Sequence, residues 1–229
     1  QGFIASDTEG YSTTLGREGS DYTAAIFAFV LNATSLTIWK DVPGVLNADP
    51  RYFKKTQLLK KISYREAIEL AYYGASVIHP KTLQPLQQKK IPLFVKSFEN
   101  PHQEGTKVFE SSQLDPLVPC FILKKNQILL ELSTLDFSFI VEENISQIFS
   151  LMDKYKMRVE MIQNSAISFA VCINDRYGKL NNLVSELSLK FKVGVKENVS
   201  LHTIRHFNIS SIQEIKGLGK KILLEQRTY

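Results

Sequence analysis

Ten residues hold the densest chemistry in the chain: Ser12-Thr13-Thr14-Leu15-Gly16-Arg17-Glu18-Gly19-Ser20-Asp21. Hydroxyl side chains, a glycine-containing turn and the start of a helix arrive together. At such a junction the backbone N–H groups and the helix dipole make an anion site. Arg17 adds a planar fork that can grip a carboxylate through charge-assisted hydrogen bonds, each worth about 1.5 to 3 kcal/mol. Asp21 can accept from an ammonium group. A small molecule carrying both charges, such as an amino acid, fits this set. A capped helix beside a surface arginine fits it too, because short glycine motifs are weak evidence, and on spacing alone both readings stay open.

The elements that must position these residues follow from pattern. A helix is expected from Ser20 to Leu31, with Ser20 as N-cap, Asp21 in the first turn, and Ala24, Ala25, Phe27, Ala28 and Leu31 burying it on most sides. Leu36 to Trp39 alternates as a strand ending at Lys40-Asp41, with Trp39 read as a packing residue, and a Pro43-Gly44 turn follows. Ser63-x-x-Glu66 is a capping box whose helix closes at Gly74. A further helix runs from Pro80 to about Lys89, with His79 a structural residue at its start, and a strand follows from Ile91 to Lys96. This alternation predicts a mostly parallel α/β layer.

Two prolines and two serines between Ser111 and Pro119 mark a change of rhythm, and a boundary is placed near residue 113. Beyond it, strand 128–132, helix 144–156, strands 158–164 and 167–173, helix 179–190 and strand 191–195 spell the ferredoxin-like order βαββαβ, complete by about residue 197. Val199 to Phe207 and Ile209 to Tyr229, with a Gly217-Leu218-Gly219 turn, read as strands of a second, incomplete unit.

Composition narrows the function classes. The 229 residues are 44% hydrophobic and 22% charged with 11 Gly, which excludes disorder and low complexity. The longest apolar run, Ala24 to Leu31, is far short of the ~20 residues that span a bilayer, so no membrane partner is expected. The net charge of +5 is spread along the chain, with 13 Lys/Arg against 11 Asp/Glu up to residue 113 and 15 against 12 after it, and this speaks against nucleic acid. Cys120 and Cys172 have no His or Cys at metal-ligand spacing, so they read as buried thiols in a reducing cytoplasm and no protein metal site is expected.

Longer motifs then carry a resemblance. Gly2-Phe3-Ile4, Thr13 to Arg17, Gly19 to Ala25, Ile38-Trp39-x-Asp41-Val42-Pro43-Gly44-Val45, Asp49-Pro50-Arg51, Gly74-Ala75-x-Val77-Ile78-His79-Pro80 and Ile91-Pro92 run in register from residue 2 to about 109. The series resembles the aspartokinases of the amino-acid kinase superfamily, and the βαββαβ region is similar to their ACT regulatory domains. The resemblance implies an α/β fold: the C-terminal, nucleotide-binding half of a kinase sandwich over 1–113, then ferredoxin-like ACT units over 114–229. It implies transfer of the ATP γ-phosphoryl group, with Mg2+, to the side chain of L-aspartate, at the entry to lysine, threonine and methionine synthesis.

Residue by residue, Phe3, Thr13, Thr14, Arg17, Ser20 and Asp21 fall on the family's aspartate positions, and Lys40, Asp41, Val42, Leu46, Arg51 and Ser76 on its nucleotide positions. Three departures stand out: the family usually has Gly at Glu18, Thr at Lys40 and Lys at Ser76. Lys40 adds back a cation of the kind lost at Ser76. The family's amino-terminal Lys-Phe-Gly-Gly segment is not found, so the chain is expected to be an inactive fragment. Thr134, Asp136, Glu160, Asn164 and Ser165 fall near effector positions of related ACT domains. Glu160 there would receive an effector's cation, making lysine the first and threonine the second choice, although a solvated strand-end carboxylate is an equal reading. A homodimer or larger homo-oligomer is implied. A non-catalytic amino-acid-binding and dimerisation module, or a kinase of glutamate or a carbamate, remain rivals.

Overall fold

A computed structural model describes residues 2–227 except 17, 76, 112, 113 and 137. They form two compact units, one of residues 1–122 with 203–218, the other of 123–202 with 219–229. In sequence, the change of unit falls at 122/123, a few residues past the Pro-rich stretch. No helix among the described residues is long and apolar enough to cross a membrane.

The first unit opens with a hairpin of β1 (Ile4–Ser6) and β2 (Ser12–Thr14), whose turn is closed by Asp7 Oδ1 accepting from the backbone N–H groups of Glu9 and Tyr11. Then come α1 (Gly19–Val30), β3 (Leu36–Lys40), β4 (Lys61–Ser63), α2 (Tyr64–Tyr73), α3 (Pro80–Gln88), β5 (Leu93–Ser97) and β6 (Thr106–Phe109). The sheet order is β3-β5-β6-β4. β3 pairs parallel with β5 and β4 with β6, while β5 and β6 are antiparallel, so two of the three pairings are parallel and one departs from the expected pattern. Loop 98–105 is too short for a crossover helix, which obliges β6 to run back beside β5. The core gathers Ala25, Ile38, Ile62, Leu83, Leu93 and Val108.

Local chemistry sets the helix ends. Ser63 Oγ accepts from Glu66 N at 2.9 Å and Gly74, at φ 118°, closes α2 as the pattern predicts. His79 is structural: its Nδ1 accepts from Lys81 N at the start of α3. At α1 the expectation fails twice. The N-cap is Glu18, in a left-handed conformation with no side-chain cap, and Ser20 lies inside the first turn. Only Gly19, Ala25 and Ala28 are buried, while Phe27 and Val30 are exposed. The two alanines, one turn apart, let α1 approach its unit closely, and the bulky residues lie on the other side. Trp39 is likewise 48% exposed and not a core residue.

The second unit contains β7 (Cys120–Thr134), α4 (Glu142–Lys154), β8 (Arg158–Asn164), β9 (Phe169–Asn174), α5 (Leu180–Leu187) and β10 (Phe191–Arg205), the ends of β7 and β10 belonging to the first unit. The sheet order β10-β7-β9-β8, with β9 antiparallel to both β7 and β8, is that of a ferredoxin-like βαββαβ unit. Its core joins Leu130, Leu132, Ile148, Phe169, Val171 and Leu183. Residues 199–205 continue β10 rather than forming a separate strand. Residues 209–216 form a helix, α6 (Ile209–Lys216), capped by Asn208 Oδ1 accepting from Ser211 N. Both cysteines are buried, and burial pushes their thiols up, Cys120 to about 12 and Cys172 to about 11, which leaves them inert.

One ion-pair cluster within the first unit draws Glu66, the carboxylate of the expected capping box, onto residues that no motif marks. The Arg205 guanidinium makes two 2.9 Å bonds to the Glu66 carboxylate and one of 3.2 Å to Glu69, and His206 Nε2 lies 3.0 Å from Glu66. The Glu66 side chain therefore does not complete the capping box. Burial alone would raise its carboxyl, but Arg205 and His206 outweigh that and hold it below the usual value. Arg205→Ala leaves a buried carboxylate short of partners and should cost about 2 kcal/mol in urea unfolding near pH 7. Because the folded value is depressed, the contribution is present above the ordinary carboxylate range and lost as pH falls through the folded value. The parent and Arg205→Ala stability curves should therefore converge only as pH falls below the ordinary carboxylate range and through the depressed folded value. Parallel curves would remove Glu66 as the titrating group.

Candidate functional site

Helix α1 leads into β3 through a five-residue connection, which turns the chain back and brings the first turn of α1 to the carboxyl end of β3. The carboxyl edge of parallel strands is where open α/β sheets bind ligands. Lys40, the last residue of β3, meets Asp21 there, Nζ to Oδ2 2.6 Å, with side chains 24% and 14% exposed.

The hairpin closes over the same helix end because two residues lack side chains. A Cβ on Gly19 would lie 2.6 Å from Phe3 Cβ, and one on Gly2 would lie 2.3 Å from Ser20 Oγ. Leu15 N donates to Phe3 O at 2.8 Å, and the register Ile4↔Thr14 and Ala5↔Thr13 sets both threonines on β2. Phe3, Thr13, Thr14, Ser20 and Asp21 are thus carried by a hairpin and a helix terminus locked together. Arg17 lies outside the described residues.

The nucleotide candidates divide. Lys40 shares the edge just described, with Asp41 and Val42 next along the chain. Leu46 bridges Leu58, and the loop beneath it is fixed by buried Thr106, whose Oγ1 accepts from Val45 N and donates to Leu59 O. Gly44, at φ 147°, leaves that hydroxyl the room it needs. Thr106 had no motif to announce it. Arg51 is exposed and spends its fork locally, Nε and Nη2 both bonding Asp49. That bond holds the Asp49 carboxyl low and the Arg51 guanidinium high. Ser76 lies outside the described residues.

The effector candidates separate as well. Thr134 Oγ1 donates to Ser138 O, Ser138 N donates to Asp136 Oδ1, and Ser138, through its side chain first and its backbone N–H second, lowers the Asp136 carboxyl. Asn164 and Ser165 line a cavity of about 470 Å³ together with Glu131, Lys192 and Phe169. Glu160 is not among its lining residues. A β-bulge between Val159 and Met161 leaves Glu160 without a cross-strand partner, and its carboxylate takes both Lys124 and Arg158 with only 5% exposure. It is therefore neither a solvated strand-end carboxylate nor an open acceptor for an effector's cation.

With the geometry in hand, the relatives are informative. Residues 1–97 match the family model described as Amino acid kinase family. Lysine-sensitive aspartokinase 3 of Escherichia coli (strain K12) is 35% identical over 230 residues, 97% of this chain and 50% of that protein. The structure of E. coli aspartokinase III in complex with lysine and aspartate (T-state) superposes with a TM-score of 0.74 at 36% identity, covering 89% of this chain and 46% of that one. The same enzyme in complex with aspartate and ADP (R-state) gives 0.71 at 34% identity, covering 92% and 48%. The fold is that of an amino acid kinase. Residues 1–97 belong to that family, and the chain as a whole is similar to its aspartokinases. It spans about half the length of the relatives it matches.

Family glycine at position 18 now has a physical reason. Glu18 sits at φ 58°, where a Cβ costs about 1–2 kcal/mol, and among the described residues its Oε2 is buried without a hydrogen-bond partner. Glu18→Gly should raise stability by about 1 kcal/mol in denaturant unfolding, after allowance for the entropy of glycine. A loss of stability would instead make the Glu18 charge a net stabiliser of the α1 dipole.

Proposed function

We propose that the protein carrying this chain phosphorylates L-aspartate with ATP, giving 4-phospho-L-aspartate. The observation that carries this reading is the ion pair of Asp21, in the first turn of α1, with Lys40 at the carboxyl end of β3, beside a helix start where Phe3 and Leu15 lie against Gly19. Similarity to an enzyme solved with aspartate and with ADP supports it. In the reaction a side-chain carboxylate oxygen of aspartate attacks the γ-phosphorus. The new O–P bond forms as the bond to the β–γ bridging oxygen breaks, and ADP departs. The attacking group is already ionised at neutral pH, so no general base is required, and the work is positioning and charge neutralisation.

In this reading Arg17 clamps a substrate carboxylate, Asp21 orients the ammonium, and Phe3, Thr13, Thr14 and Ser20 shape the pocket. Lys40, Asp41, Val42, Leu46, Arg51 and Ser76 serve the nucleotide. Arg51 would have to exchange Asp49 for phosphate. Mg2+ would arrive on the nucleotide's phosphates, which it binds readily with few protein ligands.

The βαββαβ unit is proposed to be an ACT-type regulatory unit of a cytoplasmic homo-oligomer, with Asn164 and Ser165 at its effector cavity and lysine the first effector to test. The name of the lysine-sensitive relative supports that order. We also propose that these 229 residues do not complete turnover alone, since they match about half of the length of the E. coli aspartokinase.

Two measurements follow. In the complete enzyme Arg17→Lys keeps the charge and loses the fork, so the apparent aspartate affinity should fall at least tenfold, or about 1.4 kcal/mol, with ATP affinity little changed. An unchanged aspartate KM would leave Arg17 a surface residue. For residues 1–229 purified free of host kinase, aspartate-dependent ADP release should not exceed background, and clear release would overturn the proposal that they are inactive alone.

A further inference from the structure

The Lys40–Asp21 pair is oddly placed for a structural ion pair. Asp21 lies in the first turn of α1, where the helix dipole already favours its negative charge without a cation. Lys40 ends a strand at the ligand-binding edge of the sheet. Both side chains keep some solvent contact, so the bond can open without exposing core. The two charges also match, sign for sign, what the site must hold: a phosphate group near Lys40 and an ammonium group near Asp21.

We propose that this pair is an exchangeable internal ion pair that couples the two substrates. The inference rests on the reading of the site as an aspartate kinase. Without ligands, Lys40 and Asp21 neutralise one another. A phosphate that draws Lys40 away leaves Asp21 free for the amino acid's ammonium, and an ammonium that draws Asp21 away leaves Lys40 free for phosphate. Whichever ligand arrives first breaks the pair, and the second binds to a partner already released. Binding is therefore mutually reinforcing, by the same factor in both directions. Threonine, the usual family residue at position 40, cannot form this pair, so the coupling is specific to chains that carry the lysine.

Calorimetric titrations of the purified protein with Mg-ADP and L-aspartate, each alone and each in the presence of the other, test this. Saturating aspartate should tighten ADP at least fivefold, and saturating ADP should tighten aspartate by the same factor. Succinate, which lacks the ammonium, and adenosine, which lacks phosphate, should show no such coupling to the other ligand. In Lys40→Thr and Lys40→Met, ADP should weaken, the coupling factor should fall to one, and aspartate alone should bind more tightly than in the parent because Asp21 is already free. Independent binding of ADP and aspartate in the parent, equal coupling with succinate, or coupling that survives both substitutions would overturn the exchange while leaving the kinase reading intact. Failure of both ADP and aspartate to bind would overturn the reading itself, and the exchange with it.

Discussion

The approach of the β1–β2 hairpin to the first turn of α1 is the constraint on which the site depends. It exists because Gly2 and Gly19 have no side chains where Ser20 and Phe3 must pass. A methyl group on Gly19 would meet Phe3 Cβ at 2.6 Å and Leu15 Cβ at 3.1 Å, so the ends of the hairpin would have to move away from the helix start. The strained left-handed Glu18 is a consequence of the same geometry, since the chain has to turn sharply between hairpin and helix. From there the helix runs antiparallel to β3, and that direction delivers Lys40 to Asp21.

Much of this was legible beforehand. Ser63, Gly74 and His79-Pro80 mark their helix ends through residue types with specific capping or conformational roles. The βαββαβ order was readable because its helices carry apolar residues at helical spacing, as with Leu180, Leu183 and Leu187. Other elements had no such signal. β4 and β6 have three and four residues, too few to establish a period, and each forms by pairing with a neighbour, β6 with β5 and β4 with β6. The exposed side of α1 was misjudged because a run of eight apolar residues does not say which face is covered. Helix α6 carried the marks of a helix, Asn208 before it and Ile209, Ile212 and Ile215 within it.

Side-chain pairings over long separations were beyond the sequence. Arg205 and Glu66 are 139 positions apart, and only folding shows that the carboxylate expected in a capping box is used by a guanidinium from a returning segment. Glu160 illustrates the same limit within one sheet: its type and position suggested an open acceptor, but a bulge turns it onto Lys124 and Arg158. Lys40 could be recognised as a cation in the nucleotide set, yet its bond to the substrate-side Asp21 is a fact of tertiary structure. Motifs thus suggested two ligand sets, and the structure pairs Lys40 of one with Asp21 of the other.

The central claim is that the α1 N-terminus and the end of β3 form one site for an amino acid and a phosphate donor. Backbone amide chemical-shift mapping of isotopically labelled protein, titrated with L-aspartate and then with Mg-ADP, tests it most directly. Shifts clustering at Thr13, Thr14, Gly19 to Asp21 and Lys40 to Val42, with Asp21 and Lys40 responding to both ligands, are the predicted result. Shifts confined to other surfaces, such as the cavity at Asn164 and Ser165, or no shifts at all, would contradict it.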